Sequence, residues 1–327
     1  MHTVRVSDDS NHLRRALTAA HLYYVQLRTM DAIAAELGTS RSTVSRLLSF
    51  ARAEGIVEVR VRSPLDAPGL VETQLRRQFG VRAQVIPVPE SVSDLERLDR
   101  VAQGAAQLLD ELIVSDLVVG IAWGSTLAAI ARRLTPKRVH GTTFVQLNGS
   151  GNVKTSGITY ASELLSRFST AYGGDAEQFP VPAFFDDPET RRALWRERST
   201  RRILDIQSRM GLVLFSVGAF RAEVPSRVHA GDYLEPADLE QLKTERVVGD
   251  VATVFYRANG STEGIALNER GSGPSFDLLR AVPRRCCIVT GEAKIPSLRG
   301  ALAAGLITDL VIDERTARAM VDGREAA

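Results

Sequence analysis

Three stretches of this chain place polar and charged side chains at spacings that can do chemistry. The first, Met30 to Ala51, reads MDAIAAELGTSRSTVSRLLSFA. Arg41, Ser42, Thr43, Ser45 and Arg46 gather near the start of its second helical run. Short hydroxyls and guanidinium groups at a helix N-terminus suit base edges and phosphates in a DNA major groove. The second, GIAWGSTL over 120–127, ends a buried strand and opens a helix. Gly124, Ser125 and Thr126 would offer backbone N–H groups and hydroxyls to an anion. The stretch lacks the lysine of a P-loop and the three-glycine spacing of a dinucleotide fingerprint, which argues against a nucleotide. The third, VQLNGSG over 145–151, runs a buried strand into a polar loop. Gln146, Asn148 and Gly149 would lie at the carboxyl edge of a sheet, where open α/β sheets bind ligands. Each stretch also has a plain reading: a solvated helix face, a capped turn, an Asn-Gly turn.

Other reactive groups form no constellation. Of the five histidines, His2, His12 and His21 lie near the N-terminus, and His140 and His229 sit in polar, motif-free surroundings. No Ser-His-Asp arrangement and no His/Cys metal spacing emerges, so no catalytic residue, metal or cofactor is expected. Cys286 and Cys287 are adjacent, which disfavours their pairing and reads as buried thiols in a strand.

The elements needed to position these groups follow from periodicity. Leu13, Leu17, Ala20, Tyr24 and Leu27 fall at helical spacing and predict a helix over 12–28. A second helix runs from about Thr29 to Leu37 and stops at Gly38. A third begins after Ser40, a good N-cap, and continues to about Glu54 before Gly55. Ile33 and Ala34, then Gly38, then Val44 and Leu47 have the offsets of a helix-turn-helix. The small residue permits close crossing, and the glycine permits a left-handed turn. Ile56, Val57, Val59 and Val61 alternate with Glu58 and Arg60 as a short wing-like strand. Arg52, Arg60 and Arg62 are placed to touch flanking phosphates. SPLDAPG at 63–69 reads as a linker. Beyond it, strands are expected at 83–88, 117–122, 142–147, 212–217, 251–256, 286–290 and 308–312. Helices are expected between them, notably at 93–111, 125–134, 157–172, 190–209 and 296–304. This alternation implies a doubly wound α/β fold with a mostly parallel sheet. The expected domains are 1–62 for DNA binding and 63–327 for a larger body.

Charge supports that division. The 327 residues carry a net +2, but residues 1–62 hold +3 and the remainder −1. A small basic module on a neutral body fits a specific DNA reader better than a nucleic-acid coat. No apolar run approaches the ~18 residues of a membrane span, and the polar start is not a signal peptide. A cytoplasmic protein without membrane partners is expected.

Taken together, the helix-turn-helix, GIAWGSTL, VQLNGSG, VVGDVATVFYRANG (247–260) and LVIDERTARAM (310–320) resemble the SorC/DeoR-like sugar-binding transcriptional regulators over residues 12–320. The resemblance implies a larger domain similar to the ribose-5-phosphate isomerase and glucosamine-6-phosphate deaminase fold, a phosphorylated-sugar effector, and assembly into dimers or tetramers. It places Asp250 in the effector pocket, where a carboxylate accepts sugar hydroxyls, and Lys294 on the effector phosphate. Arg299 and Asp313 are weaker candidates. One branch of the family uses a lysine covalently; Lys154 is open to that role or to a phosphate contact, with a solvated lysine the plainer reading. The chain departs from the family at Glu292, where a glycine is usual. A carboxylate beside a phosphate is unfavourable unless it points away.

These readings converge on a DNA-binding regulator whose operator is a palindrome or repeat read by paired units. The alternative, a sugar-phosphate isomerase fused to a DNA-binding module, needs a positioned general base, and none is evident.

Overall fold

The computed structural model describes residues 4–57, 67–220, 228 and 233–323. Clustering of the chain separates Met1–Asp66 from Ala67–Ala327, and each unit is considered by itself.

The first unit contains α1 (Val4–Ala20), a π-helical turn (His21–Val25), α2 (Met30–Glu36) and α3 (Arg41–Ala53). Thr29 and Ser40 cap α2 and α3, their hydroxyls accepting from Ala32 N and Thr43 N at 3.3 and 3.2 Å. Gly38 turns the chain between them with φ +57°, a conformation glycine adopts without a Cβ penalty. Ile33, Ala34, Val44, Leu47, Leu48 and Ala51 are buried together with Ala16, Ala19, Ala20 and Leu22. The face expected of the first helix is therefore rotated. Leu13 and Leu17 are exposed, and Leu27 is 83% exposed. Alanines pack inward instead, because a Cβ-only surface lets α3 come close. The π-turn then adds a residue per turn and shifts the phase. Ile56 and Val57 are not in a strand; the rest of the expected strand, with Arg60 and Arg62, lies outside the described residues.

The second unit opens on α4 (Ala67–Phe79), not on a linker at 67–69. Pro68 lies in its first turn, where the missing N–H costs no helical bond. There follow β1 (Arg82–Ile86), α5 (Asp94–Leu112), β2 (Val118–Ile121), α6 (Ser125–Ala131), β3 (Thr143–Gln146), α7 (Ile158–Tyr172) and β4 (Asp175–Glu177). The chain continues through α8 (Pro188–Leu194), α9 (Arg198–Gln207), β5 (Leu212–Phe215), α10 (Pro236–Thr244), β6 (Val247–Val251) and β7 (Val254–Arg257). It ends in α11 (Phe276–Ala281), β8 (Arg284–Val289), α12 (Ile295–Ala303), β9 (Asp309–Asp313) and α13 (Glu314–Val321).

Seven strands form one parallel sheet in the order β1-β9-β8-β5-β2-β3-β4. Its central strand β5 is apolar throughout: Leu212 to Phe215 are all at most 1% exposed. That is the pattern of strands covered by helices on both faces. From β2 the chain moves outward to β3 and β4, then returns to place β5 on the other side of β2. The crevice beyond the carboxyl ends of β2 and β5 is therefore a topological switch point.

Three sequence expectations need correction. The segment expected as one strand over 251–256 is a hairpin, β6 against β7 in antiparallel pairing. Its turn residues Ala252 and Thr253 both have positive φ, 48° and 67°, rare for residues with a Cβ, and nothing in the alternating pattern signals it. The helix expected over 190–209 is broken at Trp195–Glu197, where Trp195 packs edge-on against Phe179 and Phe185. The helix expected over 125–134 ends at Ala131.

Candidate functional site

At the switch point the loops after β2 and β5 face each other. Ala122 to Leu127, Ser216 to Gly218, Ala252 and Lys294 line a cavity of about 50 Å³. Of the residues expected to bind a ligand, Gly124, Ser125, Thr126 and Lys294 meet here. Thr126 Oγ1 donates to Ser216 Oγ at 3.4 Å, spanning the two loops. A Cβ added at Gly124 would meet nothing within 4 Å, so this wall is open. The helix behind it has only seven residues. Its dipole is correspondingly small, and the positive charge of the cavity is that of Lys294.

Lys294 enters from a short 3-10 turn, Glu292–Lys294, at the head of α12. It is 6% exposed. Burial pulls its pKa below the ordinary lysine value, while the neighbouring Cys287 and Asp250 oppose that fall. Cys287 lies on β8 behind it, and burial pushes its thiol up to about 12, so it stays neutral. Asp250 is 4% exposed, and its Oδ2 accepts from Thr253 N at 3.3 Å. A single antiparallel bridge joins Gly218 to Asp250, with Gly218 N donating to Asp250 O at 2.8 Å. Ser297 of α12 donates to Gly218 O at 2.7 Å and meets the Tyr256 hydroxyl at 2.8 Å. The hairpin, α12 and the β5 loop are thus tied together around Lys294.

The third stretch serves as scaffold. The Gln146 side chain donates to Asn148 O and accepts from Phe179 N, at 2.7 and 3.1 Å. Gly149 donates its N–H to Ser272 Oγ and accepts from Trp123 Nε1, at 2.9 and 2.8 Å. A Cβ at Gly149 would lie 2.2 Å from Val181 O, so close backbone approach explains this glycine. Neither Gln146 nor Gly149 lines the cavity, and their polar groups are committed to backbone and Ser272. Asn148 is 1% exposed, and among the described residues its buried Oδ1 has no hydrogen-bond partner. Lys154 lies exposed in the following loop, outside the cavity lining.

A second hollow, about 130 Å³, shares Lys294 and is lined by Arg97, Glu292, Asp313 and Arg315 among others. Asp313 is occupied: it accepts from Thr316 N and Oγ1 and from Gly291 N. Glu292 pairs with Arg315 and does not line the first cavity. The carboxylate that sets this chain apart is therefore held by Arg315 at the second hollow. Arg299 is half-buried and lines neither hollow.

Sequence reasoning missed Trp123, Ser216 and Ala252 as lining residues. Trp123 stacks on Tyr233, centroids 5.0 Å apart at 29°. An indole inside GIAWGSTL was a signal for it; Ser216 and Ala252 carried none.

In the first unit, Arg41, Ser42, Ser45 and Arg46 are exposed along α3 and Thr43 is half-buried. Ser40 Oγ lies 2.9 Å from both the Ser42 and Thr43 hydroxyls, so two of the five groups help cap the helix. Among the described residues Arg46 and Arg41 have only long contacts, to Ser42 O at 3.5 Å and Asp31 at 4.0 Å.

The family described as "Putative sugar-binding domain" matches residues 64–322. The chain is 31% identical over 310 residues to the "Deoxyribonucleoside regulator" of Bacillus subtilis, covering 94% of this chain and 97% of that one. It is similar to the crystal structure of a domain of "a possible sugar-binding transcriptional regulator" from Arthrobacter aurescens TC1. The TM-score there is 0.74 with 51% identity, covering 80% of this chain and all of the other. The full-length sorbitol operon regulator SorC from Klebsiella pneumoniae has the same fold, with a TM-score of 0.71 at 24% identity, over 95% of this chain and 99% of that one.

Proposed function

The chain belongs to the SorC/DeoR-like sugar-binding transcriptional regulators, and from that premise we propose a two-part regulator of transcription. Residues 1–62 form a helix-turn-helix domain that reads operator DNA. Arg41, Ser42, Ser45 and Arg46 face the major groove, with Thr43 at its edge. Residues 63–327 form an effector and oligomerisation domain, similar to the sugar-phosphate isomerase and deaminase folds, that binds a phosphorylated sugar. Paired subunits present paired readers to a palindromic or repeated operator of a carbohydrate or nucleoside catabolic operon.

One observation carries the effector half: a buried lysine amine aimed into a hydroxyl-lined cavity at the switch point of the sheet. Asp250 opposes part of this buried charge, and a phosphate in the cavity would supply a further counter-charge. Ser125, Thr126 and Ser216 add hydroxyls for the phosphate. Asp250 and Asn148, buried and outside the cavity lining, are the candidates for sugar hydroxyls. No group in the cavity is placed as a general base, which favours a sensor over an isomerase. The effector switches DNA binding only if it binds one arrangement of the protein more tightly than another.

The test is a gel shift on DNA from upstream of the protein's own coding sequence, with a panel of pentose, deoxypentose, hexose and polyol phosphates. One or more should change the shift. Intact DNA binding that none of them alters would refute the effector half, and turnover of any of them would favour the isomerase alternative.

A further inference from the structure

A concentration of arginine in the C-terminal unit lies far along the chain from Lys294. Residues 188–209 carry seven arginines and three acidic residues, whereas residues 63–327 as a whole are one unit negative. No lysine contributes. On α9 the residues Arg198, Arg201 and Arg202 recur at three- and four-residue spacing, with Arg209 in the turn that follows. They occupy one exposed face. The opposite face is fixed: Thr200, Ile203, Ile206 and Gln207 are buried. The Gln207 amide donates to the carbonyls of Gln146 and Leu147 at 2.8 and 3.1 Å. The turn before α9 is anchored by Trp195 on Phe179 and Phe185, with the Arg191 guanidinium 4.8 Å above the indole.

Two of these arginines have acidic partners. Arg192 pairs with Glu189 and Arg202 with Glu177. Among the described residues, Arg196, Arg198 and Arg201 have no ion pair or side-chain hydrogen bond. Like charges three or four apart on a helix destabilise it by a few tenths of a kcal/mol per pair. Glu177 offsets Arg202, and Asp205 lies among the remaining arginines, so the face keeps a net positive charge through Arg198, Arg201 and Arg209.

We propose that this face is a second contact with DNA, made by the C-terminal domain to the phosphate backbone without reading sequence. The inference rests on the DNA-binding reading above. The face lies outside the cavity lining, so a line of charge, not a single small anion, is its complement. From Arg198 to Arg209 the stripe runs about 16 Å at 1.5 Å per residue, the length of about five base-pair steps of duplex. Guanidinium forks are suited to bidentate phosphate contacts.

The test uses the full chain and a 60-base-pair mixed-sequence duplex, with affinity read by fluorescence anisotropy between 50 and 200 mM salt. The variant is Arg198→Gln/Arg201→Gln/Arg209→Gln. All three side chains are exposed, and unchanged tryptophan fluorescence and thermal melting will establish that it folds. A control removes the same charge elsewhere, Arg76→Gln/Arg77→Gln/Arg132→Gln, also at exposed positions. At about 0.9 in log-log slope per phosphate contact, the wild type should lose about 40-fold more affinity over that range than the variant, and no more than the control. Equal slopes for wild type and variant would overturn the inference and leave the DNA reading standing. An equal loss in the control would also overturn it, since net charge alone would then be acting. A wild type that binds neither this duplex nor its own upstream DNA would overturn the reading itself. A change in the variant's mass by sedimentation, with the slope unchanged, would assign the face to a second copy of the chain and overturn the DNA contact.

Discussion

Lys294→Met should destabilise the C-terminal unit even though burying the native ammonium is itself unfavourable. Lys294 is 6% and Asp250 4% exposed, and their charges attract. Methionine keeps the length of the side chain but leaves the Asp250 carboxylate without that ammonium. Removing one member of a buried charge pair typically costs about 3–5 kcal/mol. Coupled groups of this kind show interaction energies of about 0.5–3 kcal/mol. Asp250→Asn alone should be destabilising for the same reason. The double variant removes both charges and should be less destabilised than the sum of the singles, by about 0.5–3 kcal/mol. The assay is built into the chain. Its two tryptophans, Trp123 and Trp195, both lie in the C-terminal unit, so urea unfolding followed by intrinsic fluorescence reports that unit. A second readout separates function from stability. A phosphosugar at 100 times its Kd should stabilise the wild type by about 2.7 kcal/mol. Loss of one charge-assisted contact, worth about 1.5–3 kcal/mol, should weaken binding to Lys294→Met by about 10- to 150-fold. Single-variant effects that add to within about 0.5 kcal/mol, or unchanged effector affinity, would refute the account of this pair.

Other consequences can be checked directly. The Lys294 amine has a folded pKa below its unfolded value. Between the two the unfolded chain holds more protons, so stability should rise with pH up to about 10.5 and the Lys294→Met variant should lack that rise; matching wild-type and variant pH profiles of urea midpoint would contradict this. Leu47→Ala should cost about 2–5 kcal/mol in a 66-residue unit whose whole stability is about 3–9 kcal/mol. Calorimetry should show a low-temperature transition lost or lowered, with tryptophan fluorescence unmoved; coincident loss of both signals would count against separate units. In Gly249→Ala the new Cβ would lie 1.9 Å from Ser297 Oγ and 2.4 Å from Gly218 O. Overpacking of about 1–3 kcal/mol should displace the β5 loop and weaken effector binding, measured by Trp123 quenching; wild-type affinity would show that this loop does not shape the cavity. Both cysteine thiols are fully buried, with pKa values raised by desolvation. A thiol reagent should label neither in the native state and both in urea, and fast native labelling would disprove the packing of β8.

Much of the parallel sheet was legible because its strands are buried on both faces. Leu212–Phe215 and Thr143–Gln146 read as short apolar runs bounded by turns, and parallel burial leaves that signature. β4 was not legible, since Asp175 to Glu177 form an exposed acidic edge with no apolar pattern. The hairpin at Ala252–Thr253 escaped because its turn uses residues that ordinarily avoid positive φ. In the candidate cavity, Gly124 to Thr126 were visible as a strand-to-helix turn, whereas Lys294 rested on family resemblance. Gln146, expected at the ligand, lies outside the cavity lining, because polarity at a strand end signals either a ligand or a scaffold. Only the partners of its amide, Asn148 O and Phe179 N, distinguish the two.

The bridge between Gly218 and Asp250 consists of one backbone bond, Gly218 N to Asp250 O at 2.8 Å. It joins the cavity loop of the large sheet to the hairpin that carries Asp250. No ladder backs it, so the two layers can part there without unzipping either sheet. The Gly218 amide is therefore a latch that records each opening as an exchange of hydrogen for deuterium. A ligand that draws Lys294, Asp250 and the β5 loop together should slow exchange at that one position by the factor it stabilises the closed form, which makes a single amide a gauge of effector occupancy.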